Sequence, residues 1–280
     1  MPYKTILVCL TDTHNAERLT RFAAMVAEKF EAHLVGVHPG RQVVLHSSVG
    51  PYFTEDLLAR LSEAEQEESN KLKEIFEGAI DGYSYSSEWR AFIARSEAMS
   101  DLLVEHALTA DLIIMSQPGG SEDTYDHHEL HRNLILGAGR PILVMPQFGE
   151  FNSVGEKVLL AWNGTRESSR AAYESMPFLE KSGDVTILGV EPGKASADDM
   201  RLHGHDIAAS LARHGVHANV SNLRKGEIPV SDEMLNMAAD SGADLLVMGA
   251  YGHSRVYDFV LGAATSGILA HMTVPTLFAH

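Results

Sequence analysis

A chain of 280 residues is too long for one minimal domain and comfortable for two of about 140. Its 22 basic and 38 acidic residues leave a formal charge of −16, which argues against nucleic acid or an anionic membrane as partner, because both reward clustered Lys and Arg. The single cysteine, Cys9, rules out a disulfide framework within the chain, and no apolar run approaches the roughly 18 residues of a membrane span.

The chain opens on a short apolar strand, ILVCLTDT (residues 6–13), which turns polar at Thr11 and Asp12 and lacks the cleavage region of a signal peptide. The cytoplasm is the expected compartment. Cys9 reads as a small buried strand residue. Next come LVGVHPG (34–40), a long helix over 54–79 whose Glu and Lys run reads as a solvated face, ADLIIMSQPGG (110–120) and RPILVMP (140–146). The polar, glycine-containing stretch 147–156 reads as a linker.

Beyond it the series starts again: VLLAWNGT (158–165), ILGVEPG (187–193), ADLLVMGAYGH (243–253) and VPTLFAH (274–280). Matching blocks in the same order mean an internal duplication, with domains expected over 1–149 and 155–280. In the second half the patterning predicts strands at 158–162, 185–190, 217–223, 245–248 and 276–278. Helices are expected over 167–181, 197–214 and 231–241, with a last one ending near His271 and with Ser231 as an N-cap. Apolar strands separated by helices imply an α/β chain of two tandem doubly wound five-stranded parallel sheets, helices on both faces.

In such sheets ligands bind beyond the carboxyl ends of the strands, near the point where strand order reverses. There the second half places Gly249 and Gly252, followed by Gly262, Ala263, Ala264 and Thr265 at the start of a helix. Glycines allow backbone N–H groups to approach an anion, and a helix N-terminus adds unpaired N–H groups. Neither the Walker pattern nor the GxGxxG fingerprint is present.

Gly249-x2-Gly252-x9-Gly262, on the last strand–helix–strand of an α/β unit, resembles the phosphate-binding motif of the universal stress protein family. The tract 247–274 is similar to that family's C-terminal hallmark, and the similarity extends over both halves, as in a tandem member with a Rossmann-like, adenine nucleotide α-hydrolase-like fold. The resemblance implies a stress-response protein binding ATP or AMP, with or without Mg, in its C-terminal domain. Asn163 stands where the family has an Asp that helps hold the nucleotide, and Ala161 and Trp162 precede it on the adenine side, where Trp162 serves equally as core. Val190 matches a position contacting adenine, and Met248 leads into the glycine loop. Gly249, Gly252 and Gly262 are expected at the phosphates, with Ala264 and Thr265 following and His253 the histidine best placed to meet them. Ala263 replaces the usual Ser or Thr; losing one neutral hydrogen bond costs on the order of 1 kcal/mol, about fivefold in affinity.

The first half departs further from the family pattern. Pro118 in its loop lacks an N–H, four carboxylates follow within residues 121–129, and Thr11 takes the place of the Asp. It reads as a degenerate site that scaffolds the fold.

Asp126-His127-His128-Glu129-Leu130-His131 has the look of a metal site without the HExxH spacing, and a polar loop entering a helix is the simpler reading. His203, His205 and Asp206 do not share a helix face. No GxSxG elbow offers a covalent nucleophile, so no catalytic residue is expected. The favoured expectation is a nucleotide-dependent sensor or regulator. The alternatives are a slow ATP hydrolase and an interaction protein with a vestigial site. The family's last strand often pairs across a dimer, so the chain is expected to be a homodimer or a monomer that imitates one.

Overall fold

The computed structural model describes residues 2–41, 55–94, 99–119, 124–190, 197–223, 228–252 and 261–280. The chain forms two compact units, Tyr3–Met115 and Ser116–His280, the latter joined by the first two residues. Compactness therefore groups the end of the first sequence repeat with the second repeat.

The first unit holds β1 (Thr5–Cys9), α1 (Ala16–Phe30), β2 (His33–Arg41), α2 (Glu55–Ala79), β3 (Ser87–Ala94), α3 (Met99–Ala107) and most of β4 (Leu112–Ser116). Its strands lie in the order β3-β2-β1-β4, and all three pairings are parallel. Ile6, Val8, Leu34, Val37 and Leu112 to Ile114 are essentially inaccessible, as expected of strands covered on both sides.

The second unit contains α4 (Thr124–Gly137), β5 (Ile142–Met145), β6 (Lys157–Trp162), α5 (Arg166–Glu174), α6 (Met176–Lys181) and β7 (Asp184–Gly189). It continues with α7 (Ala197–Ala212), β8 (Ala218–Asn222), α8 (Val230–Ser241), β9 (Leu245–Gly249), α9 (Leu261–His271) and β10 (Thr276–Ala279). The order β5-β10-β9-β6-β7-β8 is parallel throughout except at β5, which runs antiparallel to β10 with Thr276 opposite Val144 and Phe278 opposite Ile142. The closing strand of the first repeat thus pairs with that of the second inside one chain, adding a sixth strand to the expected five.

Two expectations are corrected. The helix expected over 167–181 breaks at Ser175, because Pro177 sits in the first turn of α6 and cannot continue the hydrogen-bond ladder of α5. Ser231 is not an N-cap: α8 starts at Val230 behind Pro229, and Ser231 is buried in its first turn. It lies there because α9 crosses at Gly267, where a β-carbon would sit 2.4 Å from Ser231 Oγ.

The duplication survives in detail. Asp111 Oδ2 accepts the N–H groups of Lys4 (2.8 Å) and Thr5 (2.9 Å). In the second repeat Asp244 does the same for Glu156 (3.2 Å) and Lys157 (2.9 Å), and also accepts Ser153 Oγ–H (2.8 Å). In both repeats the Ala-Asp pair ahead of the fourth strand fastens the start of the first.

Candidate functional site

Strands β6, β7 and β9 end together, and strand order reverses between β6 and β9. At that end the chain turns sharply through Asn163-Gly164-Thr165, with Gly164 at φ 73°, a left-handed conformation that suits glycine. Asn163 Oδ1 accepts both the Thr165 N–H (3.2 Å) and the Thr165 Oγ1–H (2.8 Å). Thr165 caps α5: its Oγ1 accepts the Ser168 N–H (3.3 Å), and Ser168 Oγ accepts the Thr165 N–H (3.1 Å). With Asn163 Oδ1 used inside the turn, its Nδ2 group is left as the donor available to a ligand, where an Asp would offer a second acceptor.

Trp162 faces the same side of the sheet as Gly189 and Asn222, its successive partners across β7 and β8. Asn222 Oδ1 lies 2.4 Å from where a β-carbon on Gly189 would stand, so it leans across the glycine. Trp162 Nε1 and Asn222 Oδ1 are both buried without a hydrogen-bond partner among the described residues. A donor and an acceptor therefore flank Gly189 unpaired, a cost natural interiors avoid unless something else completes the bonds. Beside them Val190 N–H donates to the Trp162 carbonyl (2.8 Å), fixing Val190 at the end of β7. Ala161 is buried one residue before, toward the opposite face.

The glycine loop leaves β9 after the buried Met248. Gly249 is required by packing: a β-carbon there would meet the Glu167 carbonyl carbon at 2.5 Å and the Ser168 nitrogen at 2.6 Å. Ala250 N–H donates to the Ala279 carbonyl and its own oxygen accepts from His280 Nδ1, both at 2.9 Å, so the last residues of the chain brace the loop. Tyr251 adopts φ 49°, and its N–H donates to Thr265 Oγ1 (3.4 Å). Burial pushes the Tyr251 phenol up against the opposing pull of Arg132 in α4. Thr265 is fully buried, so its hydroxyl ties the loop to α9. Among the described residues nothing lies within 4 Å of a β-carbon built on Gly262, while Ala263 is exposed and Ala264 is buried. His253 lies outside the described residues.

Against Gly252 rests the side chain of Glu167, with Oε2 at 2.9 Å from a β-carbon built there. Glu167 is the one acidic residue fully buried among the described residues, at 6% exposure, and its Oε1 meets Arg166 Nη2 at 3.3 Å. Glu167 and Asn222 escape sequence reading. The first looks like a polar residue opening an amphipathic helix, and only the sheet order, which sets β6 beside β9, turns it toward the glycine loop.

In the first repeat the corresponding end of β2 is filled. His38, at 2% exposure, donates from Nδ1 to the Leu10 carbonyl (2.9 Å) and presents Nε2 to Glu65 Oε1 at 3.5 Å. Asp12 serves its own turn, accepting from Thr11 Oγ1 and the His14 N–H. Of the histidine clusters, His131 Nε2 bonds the Ser116 carbonyl (2.7 Å), and His205 and Asp206 are exposed. The side chains of His127, His128 and His203 lie outside the described residues. No group of metal-ligating side chains occurs among the described residues.

The profile of the universal stress protein family matches residues 156–280. The second repeat belongs to that family. Over nearly the whole chain the protein is similar to universal stress protein Slr1230 of Synechocystis, 24% identical across 98% of this chain and 99% of the relative. A solved universal stress protein from Archaeoglobus fulgidus shares the fold at TM-score 0.71 and 14% identity, covering 98% of this chain and 95% of that one. A universal stress protein structure from Pseudomonas aeruginosa follows at TM-score 0.57 and 15% identity, covering 99% and 93%. Among the described residues no helix is long and apolar enough to cross a membrane.

Proposed function

We propose that the second repeat binds an adenine nucleotide at the carboxyl ends of β6, β7 and β9, and that the protein is a cytoplasmic stress-response sensor or regulator whose conformation or partners follow the bound nucleotide. The observation that carries this reading is the buried, unpartnered Trp162 Nε1, paired across Gly189 with the equally unpartnered Asn222 Oδ1. An adenine edge presents an acceptor ring nitrogen beside a donor amino group, and so complements that pair. Asn163 Nδ2 suits a ribose hydroxyl, and the open space at Gly262 admits a phosphate to the start of α9. Family membership of the second repeat supports the same ligand. The first repeat, with His38 and Glu65 filling its strand ends, serves as scaffold.

Equilibrium binding of labelled ATP and AMP to the full chain tests the proposal. Saturable binding below millimolar ligand is expected, and its absence for both nucleotides sinks the reading.

A further inference from the structure

The glycine loop already has a carboxyl group packed against it. Glu167 reaches Gly252 from the first turn of α5, with Oε2 2.9 Å from where a β-carbon at residue 252 would stand. Its counter-ion among the described residues is Arg166, whose side chain is 71% exposed while that of Glu167 is 7% exposed. Water therefore weakens the pairing from the Arg166 side, while the carboxylate sits in a sheltered place where charge is poorly screened.

Resting on the nucleotide reading above, we infer that Glu167 sets the phosphate end of the site's specificity, selecting adenosine monophosphates over metal-free polyphosphates. A single phosphate beside Asn163 and the start of α9 brings less negative charge to that carboxylate than a longer chain does. A triphosphate extended toward Gly252 brings further negative charge to the carboxylate, and like charges in a sheltered site repel strongly.

Titrating the full chain with AMP and with ATP, in buffer stripped of divalent cations, tests this. The wild type is expected to bind AMP at least tenfold more tightly than ATP. Glu167→Gln, checked for folding by thermal unfolding, should strengthen ATP at least fivefold and leave AMP within about twofold. The wild-type ratio stands as a test by itself should the variant fold poorly. A wild type preferring ATP without metal overturns this inference alone. So does a Glu167→Gln protein, folded, whose ATP to AMP ratio is unchanged. If magnesium reverses the wild-type preference toward ATP and the effect vanishes in Glu167→Gln, Glu167 holds a cation, and the selection of monophosphates falls. Binding of neither nucleotide by the wild type overturns the nucleotide reading and this one with it.

Discussion

Gly249 lies flat against the backbone of Glu167: a β-carbon on the glycine would stand 2.5 Å from the Glu167 carbonyl carbon. Backbone cannot rotate away as a side-chain tip can, so Gly249→Ala must push α5 off the sheet. Overpacking of this kind costs about 1–3 kcal/mol, and denaturant unfolding should read that loss directly. Gly262 is the counterpart, with nothing among the described residues within 4 Å of its β-carbon position. Gly262→Val should leave stability within about 0.5 kcal/mol, while nucleotide affinity falls at least tenfold if phosphate approaches that backbone. Two glycines of one motif thus separate into a packing role and a binding role. An affinity loss confined to Gly249→Ala would contradict the separation.

Trp162→Phe keeps a ring and removes only the buried indole N–H. Because that N–H has no partner among the described residues, its removal should leave stability unchanged or raise it slightly. Adenine nucleotide affinity should fall by about 1 kcal/mol, roughly fivefold. Calorimetric titration and thermal unfolding on the same preparation give both signs. A loss of stability with no loss of affinity would assign the indole to the core alone.

Cys9 offers a pH test. Burial, reinforced by the Asp12 carboxylate, pushes its thiol up to about 12. The folded pKa lies above that of an unfolded thiol, near 8.5. Cys9 therefore contributes its full share of stability below that value and loses it as pH rises toward about 12. At pH 8 the native protein should react negligibly with a thiol-specific chromogenic reagent, and one thiol per chain should appear on adding denaturant. Prompt reaction of the folded protein would show that Cys9 opens to solvent.

Fragment 155–280 lacks β5 and so exposes the edge of β10, where Thr276, Leu277 and Phe278 find their antiparallel partners in the full chain. An uncovered apolar edge recruits another strand. The fragment should dimerise or aggregate in sedimentation equilibrium, and added full chain should not relieve this. A stable monomeric fragment would mean that β5 contributes little.

The repeated blocks and strand periods were legible because buried parallel strands must be continuously apolar, and each repeat carries them in the same order. The break at Ser175 was legible in principle, since Pro177 carries it, but amphipathic continuity on either side masked it. The displaced cap at Ser231 was not, because its burial depends on Gly267 of another helix. The glycine motif announced a loop, yet not that Gly249 answers to α5 while Gly262 faces open space. Glu167 and Asn222 remained hidden for the same reason. Each acquires its meaning from a neighbour in the sheet that is distant in sequence, a relation local patterning does not encode.

The antiparallel pairing of β5 with β10 has one more implication. Joined by the polypeptide, the two strands meet at an effective concentration fixed by the tether and independent of how much protein is present. Dilution leaves such a pair together, where a dimer of separate chains would come apart. A nucleotide bound in the second repeat would leave this strand pair intact, because the tether holds it. The closing strand of the first repeat therefore stays with that of the second at any protein concentration.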